Sequence, residues 1–342
     1  MKKLVCVFLT LIIAVGLSAC SSGETSSSNN ETGGSDQGNS KVIKLGHMFS
    51  AGDPLYNGAE YFKETLEKLS DGSITVDIYP NASLGSVDDM IEQVQMDSLD
   101  AVLGGFAPFH GEYPAAMIDE VPFLFTGHEH YFAAMDGELG EALQSEVFGK
   151  AGMTNLGTWS SGFRHFTNNK GPIVVPEDIK GIKIRSANSP IRLEMFKILG
   201  SNAISMPFPE VFSGLQQGTI DGQENPLSLI VSSSFNEVQD YLSLSGHIYN
   251  GIPVLFSTKL LESYSDEEQQ WIREAMKEAT TYQRDLAKEF ENEALKTLEA
   301  DMEVNKIDYD AFFDAVQPVY DYYREKAGDN GWIEMALKAK PN

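Results

Sequence analysis

The chain has 342 residues with 50 acidic and 25 basic side chains, a formal net charge of −25. That length allows two domains and a large core, and that charge excludes nucleic acid and an anionic bilayer surface as partners for the folded body. Its two cysteines, Cys6 and Cys20, both precede the folded part, so no internal disulfide is expected and core burial must supply stability.

Met1-Lys2-Lys3 is a basic start, followed by an apolar run of 14 residues from Leu4 to Leu17. The run is too short to span a bilayer comfortably. Leu17-Ser18-Ala19 stands directly before Cys20, the pattern of a lipoprotein cleavage box. Residues 1–19 are therefore expected to be a signal peptide, with Cys20 acylated and the protein held on the outer face of the cell membrane or its periplasmic side. Residues 21–40 carry no apolar side chain, so the stretch 20–40 is expected to be a disordered tether reaching on the order of 25 Å. Loss of Lys2 and Lys3 would leave 23 bases against 50 acids, a net charge of −27.

Val42–His47 and Ile74–Tyr79 alternate or run apolar as strands do, and Leu55, Ala59, Phe62, Leu66 and Leu69 between them recur at helical spacing. A second helix over Val87–Gln95 and a strand over Leu99–Leu103 continue the pattern, which predicts an α/β domain with a mostly parallel sheet. Ligands of such sheets sit in loops at the carboxyl ends of the strands, here His47–Asp53, Ala82–Ser86 and Gly104–Phe109. The chain is expected to cross into a second α/β lobe near Gly157–Phe163 and to return through Val254–Ser257. The expected division is 41–162 plus about 251–288 for lobe I and 163–250 plus about 289–342 for lobe II, joined by a hinge.

Ile182 and Ile184 alternate with Lys183 and Arg185, so a short strand can bury its isoleucines and present a guanidinium at its far end. A helical stretch over Ile191–Leu199 and the turn-rich Met206-Pro207-Phe208-Pro209-Glu210 lead on to Asn225. Ser265-Asp266-Glu267-Glu268 is a capping box. It opens a helix with an apolar stripe from Trp271 to Leu298, and from Ser265 to Leu298 that helix would span about 50 Å at 1.5 Å per residue, long enough to lie across both lobes. The tail, with Tyr309, Phe312, Phe313, Tyr320, Tyr322 and Tyr323, is expected to form one more packed helix.

Three stretches carry a resemblance: Gly162-Phe163-Arg164-His165-Phe166-Thr167-Asn168, Pro176 through Arg185, and Leu215 through Leu227 with its Asp221-Gly222-Gln223-Glu224-Asn225-Pro226 core. With Phe235 through Leu242 they resemble the substrate-binding proteins of tripartite ATP-independent periplasmic (TRAP) transporters, the dicarboxylate-binding type. The likeness extends from about Ile43 to about Lys288. It implies a two-lobed periplasmic-binding-protein-like fold of the class II type, braced by the long helix. It further implies that Arg185 clamps a ligand carboxylate, that Arg164 assists, that Asn225 contacts the same carboxylate, and that Asn188 and Phe208 are lesser pocket positions. In members that bind sialic acid, an acidic residue and an arginine fall where this chain has Gly105 and Pro108, a departure that argues against so large a ligand. His47, Asp53, Tyr56, Ser86 and Phe106 are expected to face the ligand's other end, with a hexuronate or aldonate and a C4-dicarboxylate both open as the small organic acid. The partners implied are the small and large integral subunits of a TRAP permease.

His128-Glu129-His130 has no third ligand at zinc spacing and reads as a solvated loop. No H-E-x-x-H, G-x-S-x-G, Walker or G-x-G-x-x-G motif occurs, so neither catalysis nor a cofactor is expected. Two readings from other classes stay open at this point, a surface lipoprotein enzyme acting on acidic sugars and a sensor that signals to a membrane kinase.

Overall fold

A computed structural model of the chain describes residues 40–341. The leader, Cys20 and the tether up to residue 39 lie outside the described residues.

β1 (Lys41–Gly46), α1 (Pro54–Leu69), β2 (Ile74–Tyr79), α2 (Val87–Gln95) and β3 (Ala101–Leu103) follow the expected alternation. Next come α3 (His128–Met135), α4 (Glu138–Leu143) and the 16-residue strand β4 (Met153–Asn168). β5 (Ile184–Ser186), α5 (Pro190–Ile198), β6 (Ile204–Ser205), α6 (Val211–Gln216), β7 (Gly222–Pro226), α7 (Leu227–Ser232) and β8 (Tyr241–Leu244) precede the returning β9 (Tyr249–Ser257). The last described elements are α8 (Thr258–Glu262), the 36-residue α9 (Asp266–Asp301), β10 (Glu303–Lys306), α10 (Tyr309–Ala315), α11 (Gln317–Ala327) and α12 (Trp332–Lys338).

The strands line up as β2-β1-β3-β9-β4-β7-β5-β6, with β8 on β4 and β10 on β8. β1 is parallel to both β2 and β3, and β5 is parallel to both β6 and β7. The two parallel blocks are joined by antiparallel crossings. The first part of β4 pairs with β9 from Met153↔Ser257 to Phe163↔Tyr249, and its last part pairs with β7 from Arg164↔Pro226 to Asn168↔Gly222. One strand thus serves both halves of the sheet, and its register against β9 shifts twice, between Asn155 and Thr158 and between Ser160 and Gly162. Gly162 adopts φ +93°, a left-handed conformation open to glycine at little cost.

α9 explains why the halves hold together along their length. Its first turns bury Ile272, Ala275, Met276 and Ala279 in a core with Ile43, Leu45, Phe62 and Trp159, while Ala294 and Leu298 enter another core with Ile230, Phe235 and Leu242. Between them the apolar stripe fails, since Tyr282 is exposed and Leu286 and Phe290 are half-buried. The buried residue there is Gln283, whose amide accepts from the Ser160 backbone N–H at 2.7 Å and donates to the Ser160 carbonyl at 2.7 Å. A buried amide doubly bonded to a strand fixes the helix on β4 where no methyl group does. α1 approaches the same spot so closely that a Cβ on Gly58 would stand 2.7 Å from Gln283 Cγ and 2.8 Å from Trp159 Cζ3.

The tail departs from expectation by breaking into three helices. Pro318 opens α11, and Gly328 and Gly331, at φ +75° and +72°, separate it from α12. These helices pack against the segment before β4 as well as on α5, and Tyr320 Oη donates to the Pro122 carbonyl at 2.9 Å. His128-Glu129-His130 also departs, because it is the first turn of α3 rather than a solvated loop. His130 is buried, its Nε2 2.7 Å from the Ala336 carbonyl and its Nδ1 accepting from Thr126 N–H at 3.1 Å. The aromatic neighbours Phe125 and Tyr131 draw that turn into the core. Among the described residues no group of three or more His, Cys, Asp or Glu side chains is placed to hold a metal ion, and no helix is long and apolar enough to cross a membrane.

Candidate functional site

A cavity of about 610 Å³ opens where the loops after β1, β3, β5 and β6 converge. The carboxyl ends of the parallel strands form it, as the topology requires. Met48, Phe49, Ser86, Asp88 and Gly104–Pro108 line it from the β1–β3 side, and Arg185, Asn188, Arg192, Ser205–Pro209 and Asn225 from the β5–β7 side. Arg164 of β4 and Asn250–Ile252 of β9 line it where the two long strands cross.

Arg185 is the penultimate residue of β5, and Ile184 beside it is fully buried, as the alternation predicted. The arginine is itself only 3% exposed. Its Nε donates to the Met206 carbonyl at 2.9 Å and its guanidinium carbon lies 5.8 Å from the Phe208 ring centre. No carboxylate pairs with it among the described residues. Burial, with Arg192 and Arg164 nearby, pushes its pKa down to about 9, so it remains charged at neutral pH.

The other two arginines are fully engaged. Arg164 grips the Glu224 carboxylate through Nε and Nη2, the latter at 2.9 Å, and donates to Asn225 Oδ1 at 2.9 Å and Asn250 Oδ1 at 3.2 Å. Arg192 reaches Glu120 through Nε at 2.9 Å and Nη2 at 2.6 Å, and Glu224 through Nη1 at 3.0 Å. Ser189 Oγ also donates to Glu120. Burial alone would raise the Glu224 pKa, but Arg164 and Arg192 hold it well below the carboxylate range. Glu120 is likewise kept ionised against burial by Arg192. Asp119 beside it accepts from Tyr131 Oη, and burial raises its pKa well above the ordinary value. Two cations are therefore matched by two anions, and Arg185 is left as the uncompensated charge of this wall.

Of the residues expected from sequence, Arg185, Arg164, Asn225, Asn188, Phe208, Ser86 and Phe106 line the cavity. Asn225 stands opposite His165 in the β4–β7 pairing, with Oδ1 accepting from Arg164 and Nδ2 donating to Gln223. Ser86 is also the N-cap of α2, its Oγ accepting from Asp89 N–H at 3.2 Å. His47, Asp53 and Tyr56 are not brought to the cavity surface. His47 is fully buried with Nδ1 accepting from Phe49 N–H at 3.2 Å, and burial lowers its pKa to about 4. Arg192, Glu120, Asp119, Asp88 and Asn250 line the cavity without having been singled out, and Glu224 lies behind it. A signal existed for two of them, since Asp119-Glu120 interrupts the apolar run Met117-Ile118 and Val121 and a buried acid pair demands a partner.

Asp53 caps α1, accepting from Leu55 N–H at 2.8 Å and Ser232 Oγ at 3.2 Å, and burial raises its pKa from 3.8 to about 6. The folded state thus holds this proton more tightly than the unfolded chain. Its contribution to stability is complete below 3.8 and is lost as pH rises through about 6. Two pK units correspond to on the order of 3 kcal/mol. Asp53→Asn keeps the acceptor and removes the ionisation, so it should melt several degrees above the parent near pH 7.5 and level with it near pH 4. Melting curves whose separation is the same at both pH values would contradict this titration.

A deep cavity at the strand ends, crossed by two shared strands and braced by one helix, is the build of a two-lobed solute receptor. The chain belongs to the DctP family, bacterial extracellular solute-binding protein family 7, matched over residues 45–326, and is a TRAP-type extracytoplasmic solute-binding protein. It is 35% identical to the 2,3-diketo-L-gulonate-binding periplasmic protein of Escherichia coli over 276 residues, 80% of this chain and 84% of that one. The sugar acid binding protein of Advenella mimigardefordensis, solved with galactonate, superposes with a TM-score of 0.85 at 32% identity, over 88% of this chain and 99% of that one. The binding protein of Sulfurospirillum deleyianum with bound succinate gives a TM-score of 0.83 at 30% identity, over 88% and 99% of the two chains.

Proposed function

We propose that this protein captures a small organic acid between two closing lobes and delivers it to a TRAP membrane permease. The observation that carries the reading is Arg185, a buried guanidinium on the cavity wall with no carboxylate of its own. A ligand carboxylate supplies the missing partner through two parallel hydrogen bonds. Arg164 and Asn225, already bonded to each other, hold the adjoining wall, and Asn188, Phe208 and Ser86 complete the contact surface. His47 and Asp53 act from behind by fixing the loop that carries Met48 and Phe49.

The lobes are 41–162 with about 251–288 and 163–250 with about 289–342, and the hinge lies where β4 and β9 change register. The solute is a hexuronate, an aldonate or a C4-dicarboxylate, in keeping with the galactonate and succinate held by its structural neighbours. Cys20 carries the lipid, and the tether to residue 40 lets the body move between solution and permease. An enzymatic reading is not favoured, because the family and the structural neighbours named above are solute-binding proteins.

Thermal unfolding of the protein with galactonate, glucuronate, succinate and short keto acids tests the reading. A ligand at a hundred times its Kd stabilises by about 2.7 kcal/mol, so at least one acid should raise the melting temperature by several degrees and be recovered chemically unchanged. A flat response to every carboxylate, or conversion of the ligand, would refute it.

A further inference from the structure

The two sides of the cavity carry opposite free charges. On the β5–β7 side Arg164 and Arg192 are balanced by Glu224 and Glu120, and buried Asp119 is bonded to Tyr131 Oη and pairs with none of the three arginines, which leaves Arg185 alone. On the other side Asp88, in the first turn of α2, lines the same cavity. It is exposed, and among the described residues it forms no ion pair and no side-chain hydrogen bond to another residue. Partial burial of its carboxyl and the neighbouring Asp89 charge raise its pKa, and no arginine pairs with it among the described residues. α2 packs on β3, which β9, β4 and β7 separate from β5 in the sheet, so Asp88 and Arg185 face the cavity from distant positions.

We infer that Asp88 rejects a second carboxylate, so that the solute is a monocarboxylate whose far end carries hydroxyl groups. The inference rests on the proposed capture of an acid by Arg185 and narrows it. One ligand carboxylate neutralises the single free guanidinium. A second carboxylate would enter a cavity with no cation left to receive it and with Asp88 beside it, a like-charge contact that discriminates between partners. Hydroxyl groups instead donate to the Asp88 carboxylate, and a bond to an ionised acceptor is stronger than one to a neutral one. Asn188 and Asn250 on the cavity wall add amide groups that both donate and accept.

Calorimetric titration of the parent protein, Asp88→Asn and Asp88→Ala with galactonate, succinate and 5-aminovalerate tests this, with melting of the ligand-free variants as the check on folding. The parent should bind galactonate at least ~100-fold more tightly than succinate, and both variants should narrow that ratio by ~10-fold, with succinate gaining. Equal affinity of the parent for galactonate and succinate overturns the inference, as does a ratio unmoved by either variant, and in both cases capture by Arg185 survives. Tighter binding of 5-aminovalerate than of galactonate overturns it too, by showing that Asp88 seeks an ammonium group. Binding of none of the three acids, together with a flat response to glucuronate and the keto acids in the melting screen, overturns both this inference and the reading beneath it.

Discussion

Arg185→Ala is expected to abolish acid binding while leaving the ligand-free protein as stable as the parent or more so. The two effects have opposite signs because the guanidinium is buried at 3% exposure and has no carboxylate partner until a ligand arrives. Burial and two neighbouring arginines already lower its pKa to about 9, the mark of a cation held against its preference. Alanine removes that strain, and the space it leaves opens into the existing cavity, so no sealed void is added. In the complex the same charge is paired, and losing one partner of a buried pair costs about 2–5 kcal/mol, some 30-fold to several thousand-fold in Kd. Arg185→Lys keeps the charge without the planar fork and should fall near the weak end of that range. Calorimetry and unfolding curves on the same samples decide the matter. Near-normal affinity in the lysine variant would remove the bidentate clamp, and a large loss of ligand-free stability in the alanine variant would make Arg185 a structural residue.

The parts of the site that sequence revealed are those in which a local pattern and a position in the fold coincide. Alternation placed Arg185 at the end of a buried strand, where an α/β sheet faces its ligand, and the family resemblance singled it out from an ordinary surface cation. The order from β1 to β3 was legible through apolar spacing alone. Arg192 was hidden by its neighbours. Ile191, Met195 and Phe196 give α5 its apolar spacing, and a charged residue between them reads as a solvated face unless its distant partners Glu120 and Glu224 are known. Arg164 stood out through a motif, yet nothing local disclosed that Glu224 engages it across the β4–β7 pairing. His47 and Asp53 sit in a loop at a strand end as expected, but there they bond the backbone and stand behind the residues that line the cavity, which no local pattern reveals. The middle of α9 misled because Tyr282, Leu286 and Phe290 keep the apolar spacing without being buried, and the Gln283 amide makes the contact in their place.

Glu224→Gln should be the most damaging single change to the fold among these residues. Glu224 is fully buried between two guanidinium groups, bonded to Arg164 and to Arg192, with His247 Nε2 3.3 Å from its Oε2. Glutamine fits the space but leaves Arg164 without a carboxylate and Arg192 with Glu120 alone, and breaking a buried pair from one side costs about 3–5 kcal/mol. The pH dependence supplies the signature. Because the folded pKa of Glu224 lies below its ordinary value of 4.5, its contribution is complete above 4.5 and is lost as pH falls through the folded value. The gap between parent and variant in urea unfolding should therefore be widest near neutrality and close in strong acid, with unchanged m-values. A loss under about 1 kcal/mol at neutral pH would mean that water reaches and solvates the arginines. In that case the charge balance that isolates Arg185 would no longer hold, and the cavity would have to be read as a diffuse positive field instead of one guanidinium awaiting one carboxylate.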